Sequence, residues 1–276
     1  MTALIAGVAV RAQETPRFKS GVDVVNVTAT VTDRDGRFVS GLTKDDFAIF
    51  EDGQRRDVVY FSDESVPVSL GILLDASGSM SRSKLSLARE AVARLVGRDL
   101  DARDEWFFAR FGYSLVQTQE WTTERDDIKE ALREVRATGD TALYDAIALA
   151  IPLTGTGHNQ KKALLVVSDG GESKSLLSLV DVQKAIGESD VRVYAIGVDA
   201  NMKTLRRVAD DTGGRADAVA SLAEIPTVTA RLADELRHEY LLGYSTTTPK
   251  DGRAHTIRVE VSGRGRKVRA RKGFVF

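Results

Sequence analysis

Two short apolar runs limit what this chain can fold into more than any other feature. Val68-Ser-Leu-Gly-Ile-Leu-Leu74 and Ala163-Leu-Leu-Val-Val167 are nearly continuous stretches of strand length. That is how parallel strands covered on both faces read, whereas a strand with one wet face alternates. Layers are therefore needed above and below. Leu85, Ala88, Val92, Leu95 and Val96 recur at helical spacing, and so do Ile128, Ala131, Leu132 and Val135 behind Thr123 as N-cap. Ser221 with Glu224 forms a capping box ahead of Pro226, Val228, Leu232 and Leu236. Trp106–Phe111 and Val191–Val198 supply further strands. Strands alternating with amphipathic helices predict an α/β domain over residues 66–238, a doubly wound, mostly parallel sheet with helices on both faces. Ligands in such sheets bind beyond the carboxyl ends of the strands.

The flanks have a different period. In residues 21–65, Val25, Val27, Ala29 and Val31 alternate with polar residues, and Thr43 with Asp46 caps one helical turn. Asp52-Gly53 marks a hairpin between Phe47–Phe50 and Val58–Phe61. In residues 239–276, Ile257, Val259 and Val261 alternate with Arg258 and Glu260, and Val268 and Ala270 with Arg269 and Arg271. Because two or three strands are marginal alone, the two flanks are expected to pack together as one small antiparallel β module. The α/β domain is then an insertion between its halves.

Residues 1–20 read as a truncated signal peptide and lead-in. Met1–Val10 is an apolar run too short to span a bilayer, and Val10-Arg11-Ala12 before Gln13 has the small-residue pattern of a signal-peptidase site. A periplasmic or secreted protein with no membrane span is expected. With 39 Lys plus Arg against 40 Asp plus Glu, bulk charge gives no attraction for nucleic acid. The basic stretch Arg264–Lys272 reads instead as an edge strand whose outward cations discourage strand addition.

The chemistry gathers at the strand ends. Asp75 follows the first apolar run and Asp169 the second. If those strands are neighbours, two carboxylates meet in a partly desolvated crevice, where like charges repel unless a cation or proton intervenes. Asp75-Ala-Ser77-Gly-Ser79 places two hydroxyls at alternate positions of one loop. An oxygen-only set without His or Cys selects hard cations, Mg2+ first and Mn2+ or Ca2+ next. The competing reading makes each Asp a helix N-cap, which leaves Ser77, Ser79 and Thr141 unexplained as a group. Enzyme readings find no footing. The place two residues after Asp75 is Ser77, not the second Asp of a phosphotransfer site. His158, His238 and His255 read as surface residues, Gly155-x-Gly157 lacks a third glycine, and there is no Cys.

Asp75-x-Ser77-x-Ser79 after a buried strand resembles the metal-ion-dependent adhesion site of von Willebrand factor type A domains. Thr141 in Gly139-Asp-Thr-Ala-Leu-Tyr-Asp145 and Asp169 in Ser168-Asp-Gly-Gly171 match that family's remaining segments in order. The resemblance covers about Val66 to Leu236. The flanks are similar to those of a bacterial relative of this family, through Leu42-Thr-Lys-Asp-Asp-Phe47 before the domain and Tyr240-Leu-Leu-Gly-Tyr244 after it. The resemblance implies direct coordination by Ser77, Ser79 and, in the ligand-competent state, Thr141, with Asp75 and Asp169 acting mainly through bound waters. It implies a non-enzymatic, adhesion-type module whose partner protein donates a Glu or Asp carboxylate to the ion. A subunit of a chelatase-like or chaperone-linked assembly using the same site is the alternative, and a metal-dependent hydrolase ranks last. Asp140 is expected to point into solvent, and Asp145 to orient its loop through hydrogen bonds.

Overall fold

Val68–Asp75 and Lys161–Ser168 lie side by side, in parallel, at the centre of a six-stranded sheet. The computed structural model describes residues 23–276, so the expected leader over residues 1–20 lies outside the described residues. The described residues begin with β1 (Asp23–Thr32), β2 (Phe47–Glu51), β3 (Gln54–Arg56) and β4 (Val58–Ser62). The α/β part follows as β5 (Val68–Asp75), α1 (Arg82–Arg94), β6 (Glu105–Phe111), β7 (Leu115–Thr122), α2 (Arg125–Glu134), α3 (Leu143–Gly155) and β8 (Lys161–Ser168). It continues through α4 (Leu179–Gly187), β9 (Arg192–Val198), α5 (Met202–Thr212), β10 (Ala216–Val219) and α6 (Ile225–Arg237). The last strands are β11 (Glu239–Thr246), β12 (Ala254–Val261), β13 (Lys267–Ala270) and β14 (Gly273–Val275).

The large sheet has the order β10-β9-β8-β5-β6-β7, parallel except for β7 at one edge. Alternation along β5 feeds two cores. Leu70, Ile72 and Leu74 pack with Leu85 and Ala88 of α1, Ile128 and Leu132 of α2, and Leu232 of α6. Leu73 turns the other way, to Leu143 and Ile147 of α3, Val182 of α4 and Leu205 of α5. Gly71 lies on that second face by alternation, and the Phe107 ring has taken the space a side chain would need: a Cβ there would sit 2.5 Å from the ring edge and 2.6 Å from Thr154 Oγ1. Burying strands on both faces is what makes their sequence nearly continuous in apolar residues.

The flanks form two four-stranded antiparallel sheets, β13-β1-β11-β4 and β14-β12-β2-β3, each drawing on both ends of the chain. They share one core, in which Val27, Ala29, Ile49, Leu242 and Tyr244 are almost fully buried. The hairpin at Asp52-Gly53 joins β2 to β3, with both turn residues at positive φ (48° and 80°), as the primed turns require. Val58–Phe61 is not its second arm. It becomes β4 and crosses to pair with β11 in the other sheet. Two caps also differ from the sequence reading. Thr122, not Thr123, accepts the Glu124 N–H at 3.0 Å at the start of α2, and the Ser221 to Glu224 bond (3.2 Å) closes the turn just before α6 begins.

At the amino ends of the parallel strands the α/β part meets the β module through buried charge. Arg192 Nη1 donates to Glu239 Oε1 (2.7 Å) and Thr30 Oγ1 (2.9 Å), and the Tyr194 hydroxyl donates to the same Glu239 oxygen (2.8 Å). Each of these four residues is at least 96% buried.

Candidate metal centre

The parallel register from Val68↔Lys161 to Leu74↔Val167 brings Asp75 and Asp169 to the same, carboxyl edge of the sheet. Asp75 and Ser77 are fully buried, Thr141 and Asp169 nearly so, and Ser79 is exposed. Asp75 Oδ1 accepts the Ser77 N–H (2.9 Å) and Oδ2 accepts the Ser168 hydroxyl (2.6 Å), so the carboxylate bends the next loop around itself. That loop brings Ser77 Oγ and Ser79 Oγ to 3.0 Å from each other.

The loop carrying Thr141 is stitched on by backbone. Thr138 N–H donates to the Ala76 carbonyl and Gly78 N–H to the Gly139 carbonyl, both at 2.8 Å. A third segment closes over it: Thr141 N–H donates to Ser173 Oγ at 3.1 Å, and Ser173 and Lys174 N–H both donate to the Thr141 carbonyl at 3.0 Å. Asp145 accepts the N–H groups of Leu176 (3.0 Å) and Leu177 (2.8 Å), holding that segment in place, while Asp140 is exposed.

Gly171 reveals the space these loops enclose. A Cβ at this position would lie 3.1 Å from Asp169 Oδ1, 3.7 Å from Ser79 Oγ and 3.9 Å from Thr141 Oγ1. Oxygens from three separate loops thus surround one point that the missing side chain keeps open. Asp75 and Ser77 stand behind them, joined through Ser77 Oγ to Ser79 Oγ. The donor set is all oxygen, part hydroxyl and part carboxylate, and it fits a hard divalent cation. Neither Asp is a helix cap: Ser81 caps α1 and Ser178 caps α4.

The two carboxylates are not equivalent. Burial pushes the Asp75 carboxyl above its ordinary range, against hydrogen bonds from Ser168 and Ser77, and the Asp169 charge adds to the rise. Burial acts on Asp169 in the same sense but is outweighed, chiefly by the Lys84 ammonium and then by the Gly171 N–H and the Ser79 hydroxyl, so its carboxyl lies below the ordinary range. Lys84 Nζ donates to Asp169 Oδ2 at 2.9 Å from the first turn of α1. The sequence reading missed this residue. Its one signal is a cation where helices ordinarily carry acids.

A second cluster also escaped the sequence reading. Glu51, Asp52 and His255 present ligand atoms within 4.8 Å of one another in the β module. Glu51 is already ion-paired to Arg56 (3.1 Å), and Asp52 accepts the Thr256 N–H (2.8 Å) and is hydrogen-bonded to His255 Nδ1 (2.7 Å). Both carboxylates of this cluster already have partners within the protein.

The family model for the von Willebrand factor type A domain matches residues 69–231, more than half of the chain. The chain belongs to that family. Among curated proteins the A domain is similar to inter-alpha-trypsin inhibitor heavy chain H4 of Sus scrofa, 25% identical over 177 residues. The match takes in 58% of this chain and 19% of the pig protein, so this chain spans about a fifth of that relative. A solved von Willebrand factor type A structure from Catenulispora acidiphila has a TM-score of 0.55 at 14% identity, covering 94% of this chain and 75% of that one. Proximal thread matrix protein 1 from the mussel byssus, solved with a zinc-occupied MIDAS motif, has a TM-score of 0.55 at 15% identity and covers 68% of this chain and 50% of that one. At such identities the structures speak for the A-domain fold. Among the described residues no helix is long and apolar enough to cross a membrane.

Proposed function

We propose that this A domain is a divalent-metal-dependent protein-binding module of the adhesion type. Ser77, Ser79 and Thr141 would hold the ion through their hydroxyls, with Asp75 and Asp169 supplying negative charge mainly through bound water. The single observation that carries the reading is the ring of oxygens from three loops about Gly171. With neutral hydroxyls in most direct positions, a bound ion supplies residual positive charge and an exchangeable position for an acidic side chain. The chain's own residues set up that position: Asp75 shapes the serine loop, the Ser173 segment holds Thr141, and Asp145 fixes that segment in turn. Mg2+ is the ion we assign, and the partner is a protein that offers a Glu or Asp carboxylate. The binding role is non-enzymatic and belongs to the periplasm or the extracellular space, in keeping with the apolar Met1–Val10 run. Residues 66–238 act as the binding domain, framed by a β module of residues 21–65 and 239–276.

The reading has a simple test. An ion bound only by the folded state stabilises it by about 2.7 kcal/mol at a hundred times its dissociation constant. Millimolar magnesium is expected to raise the melting temperature, and Asp75→Ala to abolish that rise while the protein still folds. A rise of the same size in Asp75→Ala overturns the assignment. A pull-down from envelope or extracellular extract, with and without chelator, then identifies the partner.

A further inference from the structure

A cleft of about 640 Å³ lies between α1 and the end of α2, beside the candidate metal centre. Four arginines line it, Arg82 and Arg89 from α1 and Arg133 and Arg136 from α2 and the turn after it, together with Met80 and Ala137. Among the described residues no acidic side chain contributes to the lining. Arg89 Nη2 donates to the Val135 carbonyl, and Arg136 Nη1 donates to the carbonyls of Arg133 (2.6 Å) and Val135 (3.0 Å). Among the described residues none of the four guanidinium groups lies within ion-pair distance of a carboxylate, and Arg89 Nε is buried without a partner. Burial, and then the neighbouring Arg136 charge, lowers the Arg89 pKa, the opposite of what a matched counter-ion does.

Four like charges around one cleft repel each other, and the fold spends stability to keep them there unless an anion joins them. Guanidinium groups take carboxylate or phosphate oxygens in pairs of parallel hydrogen bonds. The cleft adjoins the ion site along the chain. Met80 follows Ser79 directly, and Ala137 precedes Thr138, whose N–H holds the Ala76 carbonyl. We infer that the arginine cleft is a second subsite for the same partner, taking further carboxylates of an acidic peptide segment whose first acid reaches the ion. The choice of a protein segment rests on the proposed ion-binding role of the adjoining site.

Arg82 and Arg133 are exposed, and their side chains make no hydrogen bond among the described residues, so replacing them is expected to leave the fold intact. Fluorescence anisotropy with fluorescein-labelled hexaglutamate, on the full chain, separates the two subsites. In chelator, wild type and Asp75→Ala are expected to bind the peptide alike, and Arg82→Gln/Arg133→Gln at least fivefold more weakly. Magnesium is expected to tighten binding in wild type and in the double arginine variant, but not in Asp75→Ala. Equal affinity of wild type and the double variant in chelator overturns the subsite. Arginine-dependent binding of a heparin hexasaccharide without arginine-dependent binding of hexaglutamate overturns the peptide assignment. Arginine dependence in chelator with no magnesium effect in any variant would remove the ion reading alone, leaving the anion subsite standing.

Discussion

The two ends of the parallel sheet face the same electrostatic problem and solve it differently. At the amino end, Glu239 accepts from both Arg192 and Tyr194, so a buried acid meets its charge within the protein. At the carboxyl end Asp75 receives hydrogen bonds from hydroxyl and backbone N–H donors but, among the described residues, no ion pair, and the Lys84 ammonium is engaged with Asp169. A charge satisfied internally fixes one arrangement of the chain. A charge left short, beside an open space lined by oxygens, is a place for something from outside. The amino end therefore joins the A domain to the β module, and the carboxyl end is the one we propose to bind.

The contrast predicts opposite outcomes for charge removal at the two ends. Glu239→Ala takes from the buried Arg192 guanidinium the carboxylate it pairs with, leaving it only neutral acceptors such as Thr30, and is expected to lose about 3–5 kcal/mol of stability in urea unfolding, with or without magnesium. A loss below about 1 kcal/mol would show that this end is not a matched pair.

Gly171→Ala places a methyl group 3.1 Å from Asp169 Oδ1, in the space we propose for the ion. Its magnesium affinity is expected to fall tenfold or more, about 1.4 kcal/mol, while stability in chelator stays within about 0.5 kcal/mol of wild type. Calorimetric titration measures the first and thermal unfolding the second. Unchanged affinity would move the ion away from this point.

Lys84→Met carries the smallest expected effect. Its ammonium occupies Asp169 Oδ2 at 2.9 Å, where it would compete with the proposed ion. Removing it is expected to raise magnesium affinity several-fold, by less than about 1.4 kcal/mol, because the side chain is 22% exposed and solvent screens the pair. A weaker affinity would make Lys84 a support for the site, not a rival to the ion.

The large sheet was legible because burial on both faces leaves a nearly unbroken apolar run, and a charged residue directly after such a run marks the strand end. Asp75 and Asp169 could be placed at one edge on that ground, before any pairing was known. Lys84 could not, because its reach to Asp169 depends on how α1 lies over the ends of β5 and β8. The crossing of β4 from its hairpin neighbour to β11 was hidden for a similar reason. Val58–Phe61 has the same local pattern whichever sheet it joins, and only the long-range contact with β11 decides. The arginine cleft likewise assembles residues from two helices whose facing sides no single periodicity reveals.

The most direct measurement is an anomalous difference map from crystals grown with Mn2+, which scatters anomalously and takes the same oxygen donors as Mg2+. The site described predicts one strong peak in the space bordered by Ser79 Oγ, Thr141 Oγ1 and Asp169, next to Ser77 and Asp75. No peak there, or a peak only at Glu51, Asp52 and His255, would contradict it.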